Sequence, residues 1–475
     1  MVLWISGKQK SAKRHKSVQI WGRQILLEMY QNLLFEQTTD IRSSAFYSTP
    51  LGHLYQAVPF DSLVKQIPSP KKLPHGKGCK PWFDLKGGIA LQILKSHLRC
   101  SDAMLVEHIN GNWIMQMFCG IQLRGIERIK DKDIVGRWRK YISSHLDIDK
   151  LQIGCVQYWK PYMQDVQAGF CDATVYESYI TYPTDSKLIW RSCSDVFAML
   201  QQVRKKLRLR RSRSKHDKRH QEYLTLAKSK KKSRRKSRKL CKSLLKYLQR
   251  LQEQLGNLLQ KYKGSIALSN HQYNRLKTIT TLKEQQWQIH FGNQGTVPAR
   301  IVSLHKPHVR AIIRGKEVKA VEFGAKVNML QVDGINFIEH ISFNNFNEGT
   351  RLKSTIKMQK KYFGKCHQIG ADAIYATNEN RTYCTSNNIA TSFVQKGKEG
   401  KEAEQKKQMR SLLGKVRSTV LEGSFGNEKN HYMLDKIKAK TEATEQVWIF
   451  FSLLTSNAKQ IAKRIEQRSS EKQAA

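Results

Sequence analysis

The 475-residue chain contains no long hydrophobic run. Its most apolar C-terminal piece, Val447 to Leu454, is 8 residues, whereas crossing a bilayer takes about 20. A basic N-terminal stretch is not followed by the apolar segment of a signal peptide. These absences lead to the expectation of a soluble protein with no membrane partner. Cysteine supplies no framework either. The nine Cys, at 79, 100, 119, 155, 171, 193, 241, 366 and 384, are scattered, odd in number and without a Cys-x-x-Cys pair. That pattern argues against a zinc ribbon or a disulfide scaffold and for reduced thiols in a cytoplasm. No internal repeat is visible. Acids are scarce as well: 38 Asp and Glu stand against 84 Lys and Arg, a net charge of +46. An enzyme of small neutral metabolites has no use for such a field. A polyanion does, because each neutralised phosphate releases a condensed counterion. Nucleic acid is therefore the expected partner. An anionic membrane is the rival, and the absence of an apolar face bearing Trp or Phe beside the basic stretch disfavours it.

Hydrophobic residues, at 40%, suffice for real cores, and the length suggests two to four domains of about 100–200 residues each. Residues 1–50 form a basic segment with a predicted amphipathic helix from Val18 to Phe35. Residues 51–150 are predicted to be a helical domain. Ile89, Leu91, Ile93, Leu94 and Leu98 recur at helical spacing, as do Met104, Leu105, Ile109, Trp113 and Met117. Ser101-Asp102 between them has the form of an N-cap with a first-turn acid. Pro68 to Pro81 is a predicted loop. No sharp helix-turn-helix signature stands out in this domain.

From Val166 the period changes. Gly169 to Tyr176 is a predicted buried strand with Asp172 inside it, and a helix begins near Ser186. The compositional outlier follows. Between Arg204 and Arg250 there are 22 Lys and Arg against two acids, a net +20 in 47 residues that leaves +26 for the rest of the chain. It continues into the stripe Leu244, Leu245, Leu248, Leu251, Leu255, Leu258 and Leu259 of a long amphipathic helix. A charge run of this kind is commonly a solvated face, but so many uncompensated cations repel one another unless an anion is present. Arg208, Arg210, Arg211, Arg234 and Arg235 are its candidate phosphate contacts, positioning a duplex without reading sequence.

Strands return from residue 299. Ala299–Leu304 is expected to be short and extended, and Lys319–Leu330 and Ile335–Phe343 alternate with period two around the turn signal Val332-Asp333-Gly334. A helix is predicted over Arg351–Tyr362, and then a second strand with an acid inside it, Gln368 to Tyr375 around Asp372. A polar helix near Asn378–Ser386, a strand over Ile389–Val394, a polar link over 396–410 and a helix over Arg417–Lys440 complete the pattern, with a polar tail from 461 to 475. The expected fold class is α/β, with a catalytic region over 165–460 interrupted by a basic helical insertion at 187–290.

Asp172 and Asp372 each interrupt an apolar strand, where an unpaired charge is expensive to bury, and Glu422 follows on a helix with Lys429 seven residues later on one face. This order would bring three carboxylates to one end of a mixed sheet. Clustered carboxylates repel unless a cation neutralises them, and hard oxygen ligands select Mg²⁺ or Mn²⁺. Two such ions about 4 Å apart can clamp an in-line phosphoryl displacement. Other acids have conformational readings: Asp333 in the turn, Asp185 and Glu348 as helix caps, Glu322 on one face of an alternating strand. Trp190, Trp287 and Trp448 could stack on a base but are expected to pack in cores, and His305 and His308 are read as loop or phosphate contacts.

The blocks around these acids resemble the DDE transposases of bacterial insertion sequences, in the branch with a helical N-terminal domain. Cys171-Asp172-Ala173-Thr174-Val175-Tyr176 with its Tyr182-Pro183-Thr184-Asp185 tail is similar to the first-Asp block. Arg300 to Arg310, Arg314-Gly315-Lys316 and Val321 to Lys326 resemble the central hairpin. Ala371-Asp372-Ala373-Ile374-Tyr375 with Glu379-Asn380-Arg381 resembles the second-Asp block, and Glu422 to Lys429 the third-acid block. Residues 86–123 resemble the N-terminal domain, and the likeness spans about 50–460. The resemblance implies an RNase-H-like core in which Asp172, Asp372 and Glu422 hold two Mg²⁺ per active site for cleavage at element ends and strand transfer. Its implied partners are double-stranded DNA, as transposon ends and target, and further copies of the chain assembled on that DNA, in the bacterial cytoplasm at the nucleoid. Lys429 and Arg417 are implied phosphate contacts, as are Arg310, Arg314, Lys316, Lys326 and Arg381. One departure is plain: four residues separate Arg417 from Glu422 where relatives have three, and the Tyr that often precedes the Arg is missing. Two other readings are an inactive or domesticated copy that binds DNA, and a general nuclease of structured nucleic acid.

Overall fold

The computed structural model describes residues 42–70, 81–212, 214–231, 233–292, 294–313, 320–397 and 403–474. The predicted Val18–Phe35 helix, most of the Pro68–Pro81 loop, Arg314 and Lys316 lie outside the described residues. The chain divides into two units, one formed by the residues up to Gly136 with Ala458 onward, the other by Arg137–Asn457.

The first unit is helical: α1 (Pro50–Ala57), α2 (Phe60–Gln66), α3 (Leu85–Leu98), α4 (Asp102–Gly111) and α5 (Trp113–Phe118). α3 starts where the Asp84 carboxylate accepts the Gly87 N–H at 2.7 Å. It is buried on nearly every side from Leu85 to Ser96, as expected of a helix that is apolar all round. Ser101 caps α4 by accepting the Met104 N–H, as its sequence predicts. The buried Lys95 ammonium is satisfied by the Cys100 carbonyl at 3.1 Å and by Asp102.

The second unit carries α6 (Ile134–Ser143) from Arg137 onward, α7 (Ile148–Trp159), and then a mixed sheet built on β1 (Ala168–Glu177). Next in the chain come α8 (Asp185–Lys206), α9 (His216–Lys228), α10 (Arg234–Lys261) and α11 (Asn270–His290). The sheet resumes with β2 (Ala311–Ile313), β3 (Val321–Val332) and β4 (Ile335–Ser342). α12 (Leu352–Phe363), β5 (Gln368–Ala371), α13 (Asn378–Ser386), β6 (Ala390–Thr391), α14 (Ala403–Val416) and α15 (Glu422–His431) follow, and α16 (Glu442–Ala474) ends the chain. Strand order is β2-β3-β1-β5-β6, with β4 also on β3. β1 runs antiparallel to β3 and parallel to β5.

The β3–β4 turn is the predicted one, with Asp333 and Gly334 both at positive φ, 49° and 76°. β4 carries a bulge where Asn328 and Met329 face His340 and Ile338, which turns Glu339 toward Arg351 and Asn328. Gln152 of α7 meets β4 by giving its amide to the Ile338 carbonyl and accepting the Ile338 N–H. α12 packs Leu352 and Ile356 over Cys171 and Ile369.

The insertion between β1 and β2 is entirely helical through α8–α11 and has its own core. Leu188, Val196, Leu200, Leu244, Leu248, Leu255 and Leu282 are buried together, so the leucine stripe faces inward and the charges outward. Asp185 joins the two ends of this module. Its carboxylate takes Arg300 and the Gln286 amide, which lie beyond and within α11, while Thr184 occupies the N-cap position of α8.

Several local expectations change. Ala299–Leu304 is not a strand: Ile301, Val302 and Leu304 are buried, and the Ile301 N–H finds the Gln285 side chain instead of a ladder partner. The second acidic strand stops at Ala371, because Asp372 caps a 3-10 turn over Ala373–Tyr375. The strand expected over Ile389–Val394 is two residues long. Within the polar link, residues from 403 are helical, and the expected helix from Arg417 ends at His431. The polar tail continues α16 to Ala474. The eight described cysteines are buried and unpaired. No helix among the described residues is long and apolar enough to cross a membrane.

Candidate active site

Parallel pairing of β1 with β5 sets Cys171 opposite Ala371, so the next residues, Asp172 and Asp372, fall side by side on adjacent strand paths about 4.8 Å apart. Both line a cavity of about 950 Å³, together with Glu348, Arg417, Glu422 and Lys429. Asp372 lies where β5 has ended, and its carboxylate accepts the Ala373 N–H at 2.7 Å. Asp172 is mostly buried, at 15% side-chain exposure, and likewise accepts the next N–H, that of Ala173. Burial pushes its carboxyl up to about 6, opposed by the Ala173 N–H and the Arg417 guanidinium and assisted by the charges of Glu348 and Asp372.

Arg417 bridges two of the carboxylates of this cavity. One Nη1 reaches Asp172 Oδ2 at 2.8 Å and Glu422 Oε1 at 2.9 Å. The extra residue between Arg417 and Glu422 accounts for that reach. In an α-helix, residues five apart point about 140° away from each other. Here Arg417–Leu421 forms a π-helical turn, whose i→i+5 pairing stacks Arg417 onto the Glu422 side. The departure in spacing is thus absorbed locally, and both side chains face one carboxylate cluster.

α15 is held in place by a group that the sequence reading missed. Glu428 is fully buried, accepts the Tyr176 hydroxyl of β1 and takes the Asn336 amide of β4 at 2.5 Å. Burial raises its carboxyl to about 7, with the Tyr176 and Asn336 hydrogen bonds pulling the other way. A signal was available, since Leu421, Phe425, Glu428 and Tyr432 recur at helical spacing and all are buried. With that face anchored, Glu422 and Lys429 are left on the cavity side, and Lys429 Nζ sits 5.9 Å from the Tyr176 ring.

The remaining residues singled out from the sequence are dispersed. Lys326 lines the cavity but is buried, bonded to Glu348 at 2.8 Å, to the Phe346 carbonyl and to Asn345. Glu348 is not a cap; Asn347 is, and Glu348 is turned to the cavity and Lys326. Arg310 bonds the carbonyls of Pro307 and Val309. Arg381 bonds those of Ala376 and Val394 and lines a separate cavity. Arg208, Arg210 and Arg211 are exposed in the turn after α8, and Arg234 and Arg235 are exposed in the first turn of α10. No acid compensates that turn, although it is the positive end of the helix dipole, so an anion there would be favoured. Trp190 is in the insertion core, stacked on His220 with an interplanar angle of 2° and on His216 and Tyr223; Trp287 stacks on Phe291, and Trp448 donates to the Met433 carbonyl.

An all-oxygen set of carboxylates around a guanidinium is a donor set suited to a hard cation, with Arg417 standing where positive charge is wanted. Among the described residues no three Asp, Glu, His or Cys side chains converge closely enough to hold an ion.

Residues 369–458 match the family model described as a transposase DDE domain. No curated protein and no solved structure matches the chain. The matched span contains Asp372, Arg417, Glu422 and Lys429, and β5 sets Asp372 beside Asp172. Over this span the chain is similar to the DDE domain of transposases.

Proposed function

We propose that the chain is the transposase of a bacterial insertion sequence, built on an RNase-H-like core, which cuts DNA at the element's ends and transfers the cut strand into target DNA. The observation that carries this reading is that Asp172 and Asp372, from paired parallel strands, line one cavity with Glu422, where Arg417 bridges Asp172 and Glu422. Asp172, Asp372 and Glu422 would hold Mg²⁺, with Mn²⁺ as a substitute and two ions per site. Such ions supply an activated oxygen nucleophile and charge neutralisation at the transferring phosphoryl group. The chain's own cations do the positioning: Lys429 at the cavity wall takes a phosphate oxygen, and Arg417 exchanges its two carboxylates for phosphate as DNA enters. In this reading residues 51–150 recognise the element ends, 165–460 is the catalytic domain, and copies of the chain assemble on paired ends.

The test is a cleavage assay on plasmid DNA bearing the sequences that flank the gene, with Mg²⁺. Asp372→Ala and Glu422→Ala are each expected to lose cleavage while still retarding the end duplex. A variant that cuts at the parental rate removes that residue from the role. A parental protein that binds the ends and never cuts identifies an inactive copy, and one that cuts without end sequence identifies a general nuclease.

The basic insertion has a separate expected outcome. Deleting 204–239 would strip α9 from Trp190, so charge removal is the cleaner change. Arg234→Ala with Arg235→Ala is expected to flatten the slope of log K against log salt by about 2, with preference for end sequence unchanged. A slope equal to the parental one rejects α10 as a backbone contact.

A further inference from the structure

A second basic groove, of about 820 Å³, lies beyond the far end of β1, between α11, the Ser303–His308 loop and the Lys438–Glu442 segment. Arg191, His271, His305, Lys438 and Lys440 line it, with Glu442 as the one acid of its wall. Nearby carboxylates are already engaged: Asp195 takes Arg275 at 2.8 Å, and Glu445 takes Lys306 at 2.7 Å. Among the described residues no carboxylate pairs with Arg191, Lys438 or Lys440, all of which are exposed. These three cations therefore stand without a carboxylate partner on a wall that is bridged to the end of β1.

That wall is an extension of the catalytic strand. Ile437 pairs with Ser178, its N–H bonding the Glu177 carbonyl and its carbonyl accepting the Tyr179 N–H, both at 2.8 Å. Extended backbone alternates its faces, and Ile437 and Ala439 are buried while Lys438 and Lys440 are exposed. Lys438 and Lys440 stand two residues apart on one exposed face, where extended backbone rises about 6.6 Å, within reach of neighbouring phosphates of one DNA strand. Tyr179 is 63% exposed beside them, with Lys438 Nζ 5.9 Å from its ring, giving an apolar surface against sugar. Along β1 and the Ser178 bridge that continues it, Asp172 and Tyr179 are seven residues apart, roughly 23 Å, or about seven base pairs of duplex.

We propose that this groove binds the phosphodiester backbone of duplex DNA about seven base pairs from the phosphate seated in the acidic cavity, fixing the duplex along β1. The inference rests on the transposase reading and adds a backbone anchor that neither the family match nor the acids assign. Duplex DNA is the occupant because the proposed substrate of the acidic cavity on the same strand would run on past this groove, whereas nothing places an acidic polypeptide along β1.

The experiment compares full-length protein with its Lys438→Glu/Lys440→Glu variant, titrating a labelled 30-base-pair end duplex at several salt concentrations. The variant is expected to bind at least about tenfold more weakly, with a log K against log salt slope shallower by about 2. Its melting temperature should be unchanged, since both lysines are exposed. A duplex cut back to about three base pairs from the cleavage point on that side should bind parent and variant alike. Lys438→Gln/Lys440→Gln should fall between the two. Parental affinity and slope in the glutamate variant overturn the proposal while leaving the transposase reading intact. Polyglutamate that competes with DNA for the parent but not for the variant, with DNA affinity unaltered, assigns the groove to an acidic protein and also overturns it. A parental protein that binds no duplex defeats both readings.

Discussion

Asp172→Asn is expected to abolish DNA cleavage and at the same time to make the protein more stable above neutral pH. The Asp172 carboxyl is raised from 3.8 to about 6, with burial as the main cause. A raised acid favours its neutral form in the folded chain. The associated stability is fully present below 3.8 and is lost as pH rises through about 6, so at pH 8 the ionised carboxylate costs the fold most. That cost is at most about 3 kcal/mol, from 1.36 kcal/mol per pKa unit, because Arg417 and the partial exposure of the site are already included in the shift. Asparagine keeps the shape, cannot ionise, and leaves Arg417 its Glu422 partner at 2.9 Å. Melting curves at pH 8 and pH 4.5 are the check. The variant should melt several degrees above the parent at pH 8, with the gap shrinking toward pH 4.5. A variant that melts lower at pH 8, or a gap independent of pH, refutes the account. Such a gain together with lost cleavage would mark stability traded for function at this position.

The second large effect concerns a glycine. Gly324 of β3 faces Glu177 of β1 in the antiparallel register. A Cβ there would fall on the Tyr176 carbonyl oxygen and lie 2.7 Å from Glu177 Cα. Both obstacles are backbone, so no side-chain rotation relieves them. Gly324→Ala should cost about 3 kcal/mol, the upper part of the usual overpacking range, and Gly324→Val should exceed it. The loss extends to the site, because Tyr176 holds Glu428 and Glu428 holds α15. Gly423 provides the contrast. It lies in α15 with nothing within 4 Å of a built Cβ, so Gly423→Ala should gain about 0.5–1 kcal/mol through helix propensity. Denaturant midpoints measure both. An unchanged midpoint for Gly324→Ala would show that β1 and β3 are not paired in this register.

Features that depend on local chemistry were legible in the sequence. The Ser101 cap, the Asp333-Gly334 turn and the leucine stripe of α10 each follow from side-chain patterns within a few residues, and each forms as read. The fold class was legible for the same reason, through alternation of period two and period 3.6. What escaped depends on partners distant in sequence. Ala299–Leu304 is apolar enough for a strand, but its groups are claimed by Gln285 and the insertion core. The site was half legible. Strand patterns picked out Asp172 and Asp372, yet no pattern within either strand encodes the parallel pairing that sets them side by side. Arg417 was read as a phosphate contact in an irregular spacing, because a π turn cannot be inferred from five residues alone. Glu428 was passed over because a Glu next to a Lys in a polar helix has the composition of a surface.

The Asp185 junction has a mechanical consequence. One carboxylate ties the start of α8 to Gln286 within α11 and to Arg300 beyond it, so the helical insertion is closed on itself at its base. The module therefore has one shared footing where the chain leaves β1, in place of two independent ones.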